Sequence, residues 1–287
     1  MHTINFKAKT KLIEQLLKQE DISLVKKSSM IDKILLKKKQ YASIYFHTGN
    51  FDKEAVENIK NAKKVIVNSK RLKKEILSKF NLDENRVDVI YPFVDIEYKK
   101  PKELKKEFCQ KFEIEPKKKI IFFTGRNLKA SGVIEFINTI MQLSTENFIS
   151  IIAGDKKQIT SLKFQLTKFK LEDKLLLLED YKNKEELFLV SDIFFLPTHN
   201  KSFATNVLKA MFCKNVVFTT ANNDSKELID VFSTMESPSD RSMQFKLEAI
   251  LQNKDDMKLI KKENRKKAKE FTLEKQLEKV NAVLETI

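Results

Sequence analysis

The stretch IFFLPTHNKSFATNVLKAMFCKNVVFTTAN, residues 193–222, decides the fold class. It opens with a short, continuous apolar run, which is typical of a strand buried on both faces. Apolar residues then recur at helical spacing over 203–211, and VVFTT at 216–220 is predicted to be a second strand. The stretch is therefore predicted to be a βαβ unit, and its first strand-to-helix loop lies where open α/β sheets bind ligands.

The composition predicts one or two α/β domains with a basic surface. The chain has 287 residues, 41% of them hydrophobic, and a net charge of +15. This charge favours anionic partners such as lipid headgroups, a nucleotide sugar or nucleic acid, and the alternative is a lysine-rich solvated surface without a partner. Two cysteines fit a reducing compartment and indicate neither a disulfide framework nor a metal site. Because no apolar leader or membrane-spanning run is present, we expect a cytoplasmic protein.

Strands and helices alternate along the chain, which predicts parallel sheets with right-handed crossovers. In the first part, helices are predicted at 10–18, 30–38, 52–61 and 70–80, between strands at 3–6, 21–25, 42–47, 64–68 and 86–90. A charged helical segment at 101–118 is predicted to be a linker. Strands at 119–123, 147–153, 175–178, 193–196 and 216–220 follow it, with helices at 133–143, 185–191, 241–251, 258–267 and 275–284.

The opening stretch resembles the donor-binding segment of the retaining GT-B glycosyltransferases, family 4 in particular. That family shows L-P-S-x-x-E-G-F-G followed by E-A-M-A-C-G-x-P-V-V. The residues in register here are Leu196-Pro197-Thr198, Phe203, Ala210-Met211, Cys213 and Val216-Val217. The two glutamates of the family fall on Lys201 and Lys209, so this chain reverses the charge at both positions. The resemblance implies that Ser202 and Phe203 also belong to the donor-binding residues.

A second motif supports the same resemblance. Gly125, Arg126 and Gly132 match the family's V-G-R-x-x-x-x-K-G, and Ser131 stands where the family has its lysine. In the family this arginine and lysine hold the donor pyrophosphate, the arginine in a bidentate manner. After the second strand of the opening stretch, Glu227 is the one residue that fits the family's G-G-x-x-E.

The first part of the chain resembles the family near its end. NAKKVIVNSKRLKKEIL at 61–77 and RVDVIYPFVDIEYKKP at 86–101 are similar to the late N-terminal domain of the family. His47 ends the third strand, where the family places a histidine that faces the transferred sugar, and the resemblance therefore makes His47 the catalytic candidate. The alternative for His47 is a histidine that forms a structural hydrogen bond. The family's glycine-rich turn after the first strand is not visible, since residues 7–11 occupy that place.

The resemblance implies the GT-B fold, with two Rossmann-like parallel-sheet domains that face a cleft. We expect a shortened acceptor-side domain at 1–100, a linker helix at 101–118 and a nucleotide-sugar-binding domain at 119–262. A C-terminal helix at 263–287 is expected to cross back to the first domain. The implied function is transfer of a sugar from a nucleotide-diphosphate sugar to a cell-surface polysaccharide, lipopolysaccharide or glycolipid. The resemblance implies no metal and no other cofactor, and the basic charge suggests an anionic membrane face as a further partner.

Two alternatives remain open at this stage. A lysine donates hydrogen bonds and accepts none, so Lys209 cannot receive ribose hydroxyls as a carboxylate does. The chain is then either a transferase with a rebuilt donor site or a catalytically inactive homologue that serves as a partner or regulatory subunit. A basic nucleic-acid-binding protein is the third reading, but no recognition motif supports it and no nucleic acid is expected.

Overall fold

The computed structural model describes residues 1–26, 39–167, 169, 171 and 173–287. The chain divides into two compact units. Unit 1 consists of residues 1–93 and 271–287, and unit 2 consists of residues 94–270. The domain limits predicted from the sequence stay a prediction, and the helix predicted at 30–38 lies outside the described residues.

Unit 1 is built on a five-stranded parallel sheet. Its strands are β1 (His2–Phe6), β2 (Ile22–Leu24), β3 (Ile44–His47), β4 (Lys64–Val67) and β5 (Val87–Val89). They are arranged in the order β2-β1-β3-β4-β5, and every neighbouring pair runs parallel. Strands β3 and β4 are apolar runs buried on both faces, as expected for the centre of such a sheet.

Helices cover both faces of the unit 1 sheet. They are α1 (Lys11–Leu16), α2 (Lys53–Asn61), α3 (Lys70–Phe80) and α11 (Leu273–Leu284). Apolar residues of α1 and α11 join Ile4, Ile44 and Ile66 in one core cluster, whereas α2 and α3 join Val65 and Val67 in a second one. Side chains of Thr10, Asp52, Ser69 and Thr272 accept backbone hydrogen bonds at the four helix starts, which explains where each helix begins.

Unit 2 is built on a six-stranded parallel sheet. Its strands are β6 (Lys119–Thr124), β7 (Phe148–Gly154), β8 (Leu175–Glu179), β9 (Ile193–Leu196), β10 (Val216–Thr220) and the short β11 (Thr234–Met235). The order is β11-β10-β9-β6-β7-β8. Residues 120–123 and 193–195 are fully buried, so the two apolar runs form the middle of the sheet.

The helices of unit 2 pack on this sheet and on one another. They are α4 (Pro101–Lys111), α5 (Val133–Met141), α6 (Lys156–Leu166), α7 (Lys184–Val190), α8 (Thr205–Phe212), α9 (Ser242–Gln252) and α10 (Lys254–Ala268). Helix α4 packs against α7, α8 against α10, and α5 against α9. The predicted segment 101–118 is helical only to Lys111, because Glu113 adopts a left-handed backbone conformation with φ of 53°. Helix α10 begins four residues earlier than predicted, since the Asn253 side chain caps it.

A buried ion cluster ties helices α4 and α10 to the start of β9. The Asp192 carboxylate lies 2.6 Å from Lys105 Nζ and 2.5 Å from Lys261 Nζ, and it also accepts the Ile120 backbone N–H at 3.0 Å. Burial alone would raise the pKa of Asp192, but the two lysines lower it to about 2. The carboxylate is therefore ionised at neutral pH and is paired on both oxygens.

Candidate functional site

Three loops at the carboxyl ends of adjacent strands form the candidate site in unit 2. Strands β10, β9 and β6 are neighbours in the sheet, and all run parallel. The loop after β6 spans residues 125–132, the loop after β9 spans 197–204, and the turn after β10 spans 221–224. This is the edge at which parallel α/β sheets bind ligands.

The loop after β6 folds back on itself, so that Ser131 packs against Gly125. A Cβ atom at Gly125 would lie 2.1 Å from Ser131 Oγ, and the Ser131 backbone N–H donates to Asn127 O at 2.9 Å. Ser131 is consequently buried, with 6% of its surface exposed. The predicted residues Gly125 and Ser131 are thus brought together, and the contact between them leaves no room for a side chain at position 125.

The loops after β6 and β9 are joined backbone to backbone. Gly132 has a positive φ of 88°, and a Cβ atom there would lie 1.8 Å from Pro197 O. The neighbouring carbonyl of Ala130 accepts the His199 backbone N–H at 3.1 Å and the Asn200 side-chain amide at 3.2 Å. Only glycine permits this approach, so the match at Gly132 has a structural reason.

Asn223, which the sequence reasoning did not select, holds the loop after β9 in place. Its side chain is buried and donates to the carbonyls of Asn200 and Ser202, both at 2.8 Å. Its Oδ1 atom accepts from Ala204 N at 3.3 Å, and from Ser225 N at 3.0 Å and Ser225 Oγ at 2.6 Å. One side chain therefore fixes the backbone on both sides of Lys201.

Cationic side chains project from this frame into solvent. Arg126 and Lys201 are exposed, and so is Lys129 in the same loop as Arg126. Within the described part of the chain, no salt bridge includes any of the three. The Arg126 backbone carbonyl accepts the Gln158 amide at 3.2 Å, which fixes the main chain at this point. Cations around a rigid backbone frame suit a phosphate-bearing ligand.

Lys209 differs from Lys201 because it has an acidic partner. Lys209 lies in the middle of α8, and its Nζ atom is 2.9 Å from Glu185 Oε1 in the first turn of α7. The Glu185 side chain keeps 54% of its surface exposed. The sequence placed two equivalent charge reversals in the site, whereas the structure neutralises one of them.

The remaining predicted residues of unit 2 flank the same loops. Ser202 is exposed and contributes its carbonyl to Asn223, whereas Phe203 is buried at the start of the α8 segment. Glu227 is half-buried in a 3₁₀ turn at Asp224–Leu228. A cavity of about 420 Å³ lies beside the loop after β6, but it is lined by that loop, the start of α5 and α6, and by none of the predicted site residues.

The same region contains a histidine–carboxylate pair that was not predicted from the sequence. His199 Nε2 lies 2.8 Å from Glu135 Oε1, in the first turn of α5. The two residues are 64 positions apart. The only available signal was a polar loop after a buried strand, which indicates a site but not a pairing.

His47 belongs to unit 1 and is fully buried at the end of β3. Its ring stacks on Phe51 with a centroid distance of 5.0 Å, and neither ring nitrogen has a hydrogen-bond partner among the described residues. Burial, followed by the positive charge of Lys7, lowers the pKa of His47 to about 4, so the imidazole is neutral at pH 7. Its catalytic role stays a prediction.

The described residues hold neither a cluster of metal ligands nor a membrane-spanning helix. No group of three or more histidine, cysteine or acidic side chains in that part of the chain is arranged to hold a metal ion. No helix there is long and apolar enough to cross a membrane.

Comparison with known proteins identifies the relatives of this architecture. The model of the family described as glycosyl transferases group 1 matches residues 105–267, which include every loop of the candidate site. None of the curated proteins matches the chain.

Solved structures share the fold at low sequence identity. A glycosyltransferase from Rickettsia africae is 18% identical with a TM-score of 0.73, and the match covers 95% of this chain and 79% of that one. HepE from Anabaena, solved with UDP-glucose, is 16% identical with a TM-score of 0.73, over 85% and 72% of the two chains. WaaG, a glycosyltransferase involved in lipopolysaccharide biosynthesis, is 14% identical with a TM-score of 0.67, over 91% and 85%. The prediction of a GT-B type fold with two parallel sheets is confirmed.

Proposed function

We propose that this chain, which belongs to the group 1 glycosyl transferases, transfers a sugar from a nucleotide-diphosphate sugar to a glycan or lipid-linked acceptor. The observation that carries the proposal is the frame of three loops in unit 2, from which Arg126 and Lys201 project as exposed cations. A diphosphate develops negative charge as the sugar leaves, and fixed cations at that position stabilise it. The family match spans all three loops.

The finer assignments rest on the resemblance and on the relatives. HepE was solved with UDP-glucose, which makes a UDP-sugar the first donor to test. WaaG takes part in lipopolysaccharide biosynthesis, which supports a cell-surface polysaccharide, lipopolysaccharide or glycolipid as acceptor. Membership of family 4 and retention of anomeric configuration belong to the same proposal, and His47 is proposed to face the transferred sugar.

A second candidate is a catalytically inactive homologue that serves an active transferase as partner or regulatory subunit. Lys209 favours it, because its ammonium group has no acceptor for ribose hydroxyls and is directed to Glu185. Each buried hydrogen bond left unmet in the donor complex would cost about 1–3 kcal/mol. Turnover of a nucleotide sugar separates this candidate from the first.

Thermal unfolding in the presence of nucleotides tests donor binding. Purified protein is unfolded with millimolar UDP, GDP, ADP and CMP and with their sugars, alongside Arg126→Ala. The exposed Arg241 of the same unit supplies the matched control Arg241→Ala. A ligand at about 100 times its Kd adds about 2.7 kcal/mol of stability.

One nucleotide should raise the Tm of the wild type and of Arg241→Ala but not that of Arg126→Ala. If no nucleotide raises the Tm of the wild type, donor binding is refuted and the inactive homologue is favoured. If a nucleotide binds and its sugar is not turned over with any acceptor extract, the chain binds donor without catalysis.

We propose that a basic surface on α10 brings the protein to an anionic membrane face. This α10 surface lines two adjoining cavities of about 380 and 490 Å³. The lining contains Glu263 as its one carboxylate and nine cationic residues, of which Lys261 is paired with Asp192: Lys119, Lys214, Lys254, Lys258, Lys261, Lys262, Arg265, Lys266 and Lys269. Leu259, 55% exposed, lies among them and can enter the headgroup region. Lysine-rich surfaces bind anionic lipids without directional recognition.

A further inference from the structure

The pair formed by His199 and Glu135 has no role in the function proposed so far. The side chain of His199 is 52% exposed and that of Glu135 is 22% exposed. An exposed pair of this kind contributes little to folding stability. The Nε2 atom of the ring is engaged by Glu135 at 2.8 Å, and among the described residues the Nδ1 atom has no protein partner.

The backbone places this pair beside the position where the chain lacks a cation. The His199 backbone N–H donates to the carbonyl of Ala130 at 3.1 Å, and Ala130 is directly followed by Ser131. Serine is uncharged, and the Ser131 side chain is also buried against Gly125, so position 131 offers neither a cation nor a hydroxyl at the loop surface. Two further bonds to the same carbonyl, from Thr198 Oγ1 at 3.3 Å and from the Asn200 amide, fix the start of the His199 loop.

We propose that His199 is a ligand of the donor diphosphate and that Glu135 is its positioning residue. This inference rests on the proposed function. The ring donates Nε2–H to Glu135 and Nδ1–H to a phosphate oxygen, and it carries a positive charge while it does both. The carboxylate on the far side of the ring stabilises that charge and fixes the ring plane. The cation that position 131 does not supply is thereby delivered from the neighbouring loop.

The test compares a diphosphate with its nucleoside. UDP binding is measured by calorimetry and uridine binding by ligand-observed NMR. If the thermal experiment selects another base, the diphosphate and the nucleoside of that base are used instead. The variants are His199→Gln, His199→Lys and Glu135→Gln, with His2→Gln in unit 1 as the matched control. Circular dichroism and Tm establish that each variant is folded.

His199→Gln should weaken UDP binding about 10- to 100-fold, the loss of one charge-assisted hydrogen bond, and leave uridine binding unchanged. His199→Lys keeps a cation and should stay within about threefold of the wild type. Glu135→Gln, which keeps an acceptor for Nε2–H but not the charge, should weaken UDP binding by about three- to tenfold. His2→Gln should change neither affinity.

Three outcomes overturn the inference in different ways. Unchanged UDP affinity in His199→Gln shows that the ring is not a phosphate ligand. Equal losses for UDP and uridine show that His199 acts on loop structure alone. If the wild type binds no nucleoside diphosphate, the proposed function itself fails, and the inference fails with it.

Discussion

Replacing Asn223 by alanine should release the loop that carries Lys201. The Asn223 side chain is 1% exposed and makes five hydrogen bonds, two as donor to Asn200 O and Ser202 O and three as acceptor. Alanine removes all five and adds none. The partners of Oδ1 include both polar groups of Ser225, which is fully buried.

The magnitude follows from where the released partners lie. A typical intramolecular hydrogen bond contributes about 1 kcal/mol net, so five would contribute about 5 kcal/mol. Asn200 and Ser202 are exposed, so water can replace two of the lost bonds. The groups of Ser225 have no such access, and their desolvation is not compensated. We expect Asn223→Ala to lower the free energy of unfolding of unit 2 by about 3–4 kcal/mol.

The assay combines urea unfolding, followed by circular dichroism, with hydrogen exchange of the amides in 200–204. Because the Ala204 amide donates to Asn223, it should exchange much faster in the variant. Asn222, the exposed neighbour, supplies the control Asn222→Ala, which should change stability by less than about 0.5 kcal/mol. Equal unfolding midpoints and equal exchange in the two variants would refute the assignment of Asn223 as the residue that holds this loop.

Three further predictions concern packing, charge and membrane contact. Gly132→Ala should lower the free energy of unfolding in urea by about 2–5 kcal/mol, because the added Cβ meets Pro197 O. Gly49 has a similar φ of 78° but no atom within 4 Å of an added Cβ, so Gly49→Ala should cost only about 1 kcal/mol. Equal costs would contradict the packing argument. Asp192, whose pKa is lowered to about 2, stabilises above its unfolded pKa near 4 and loses this effect as pH falls toward 2. Asp192→Asn should therefore cost about 3–5 kcal/mol at pH 7 and much less at pH 2, and a cost that does not vary with pH would argue against the ion cluster. The double variant Lys262→Glu with Lys266→Glu should lower the affinity for phosphatidylserine vesicles, measured by sedimentation, by about 30-fold or more. Neutral vesicles serve as the control. An unchanged affinity would rule out the α10 surface as the membrane contact.

The strands were predictable because their signal is local. Residues 120–123 and 193–195 are apolar and fully buried, and a run of this kind between turn residues predicts a central parallel strand without further knowledge. Strand β11 was missed because Thr234–Met235 is too short to show a period, and helix α6 was left unassigned between two predicted strands. The order of strands in either sheet was not predicted, since it depends on contacts between segments distant along the chain.

The loops of the candidate site were predictable in position, but the contacts that hold them were not. The loops after β6 and β9 were located correctly by the strands that precede them. The inward direction of Asn223, and the pairing of His199 with Glu135, come from tertiary packing across distant segments and leave no pattern in a single sequence. Asn223 lies in the segment compared with the family's G-G-x-x-E, where only Glu227 matched. Matching a sequence motif cannot reveal that a non-matching side chain forms hydrogen bonds to the backbone.

The two lysines in the donor segment have different physical consequences. Lys201 adds a positive charge to the exposed loop, whereas Lys209 and Glu185 together carry no net charge. The ribose side of a donor would therefore meet a neutral pair whose carboxylate is half exposed and retains acceptor capacity, and the phosphate side would meet added cations. Replacing Lys209 alone by glutamate would set two carboxylates against each other, so only the exchange of charges with Glu185→Lys tests acceptance of the ribose without adding repulsion. For the same reason, loss of donor binding in Lys209→Glu alone would report repulsion between the two carboxylates, and it would not show that the site cannot accept the ribose.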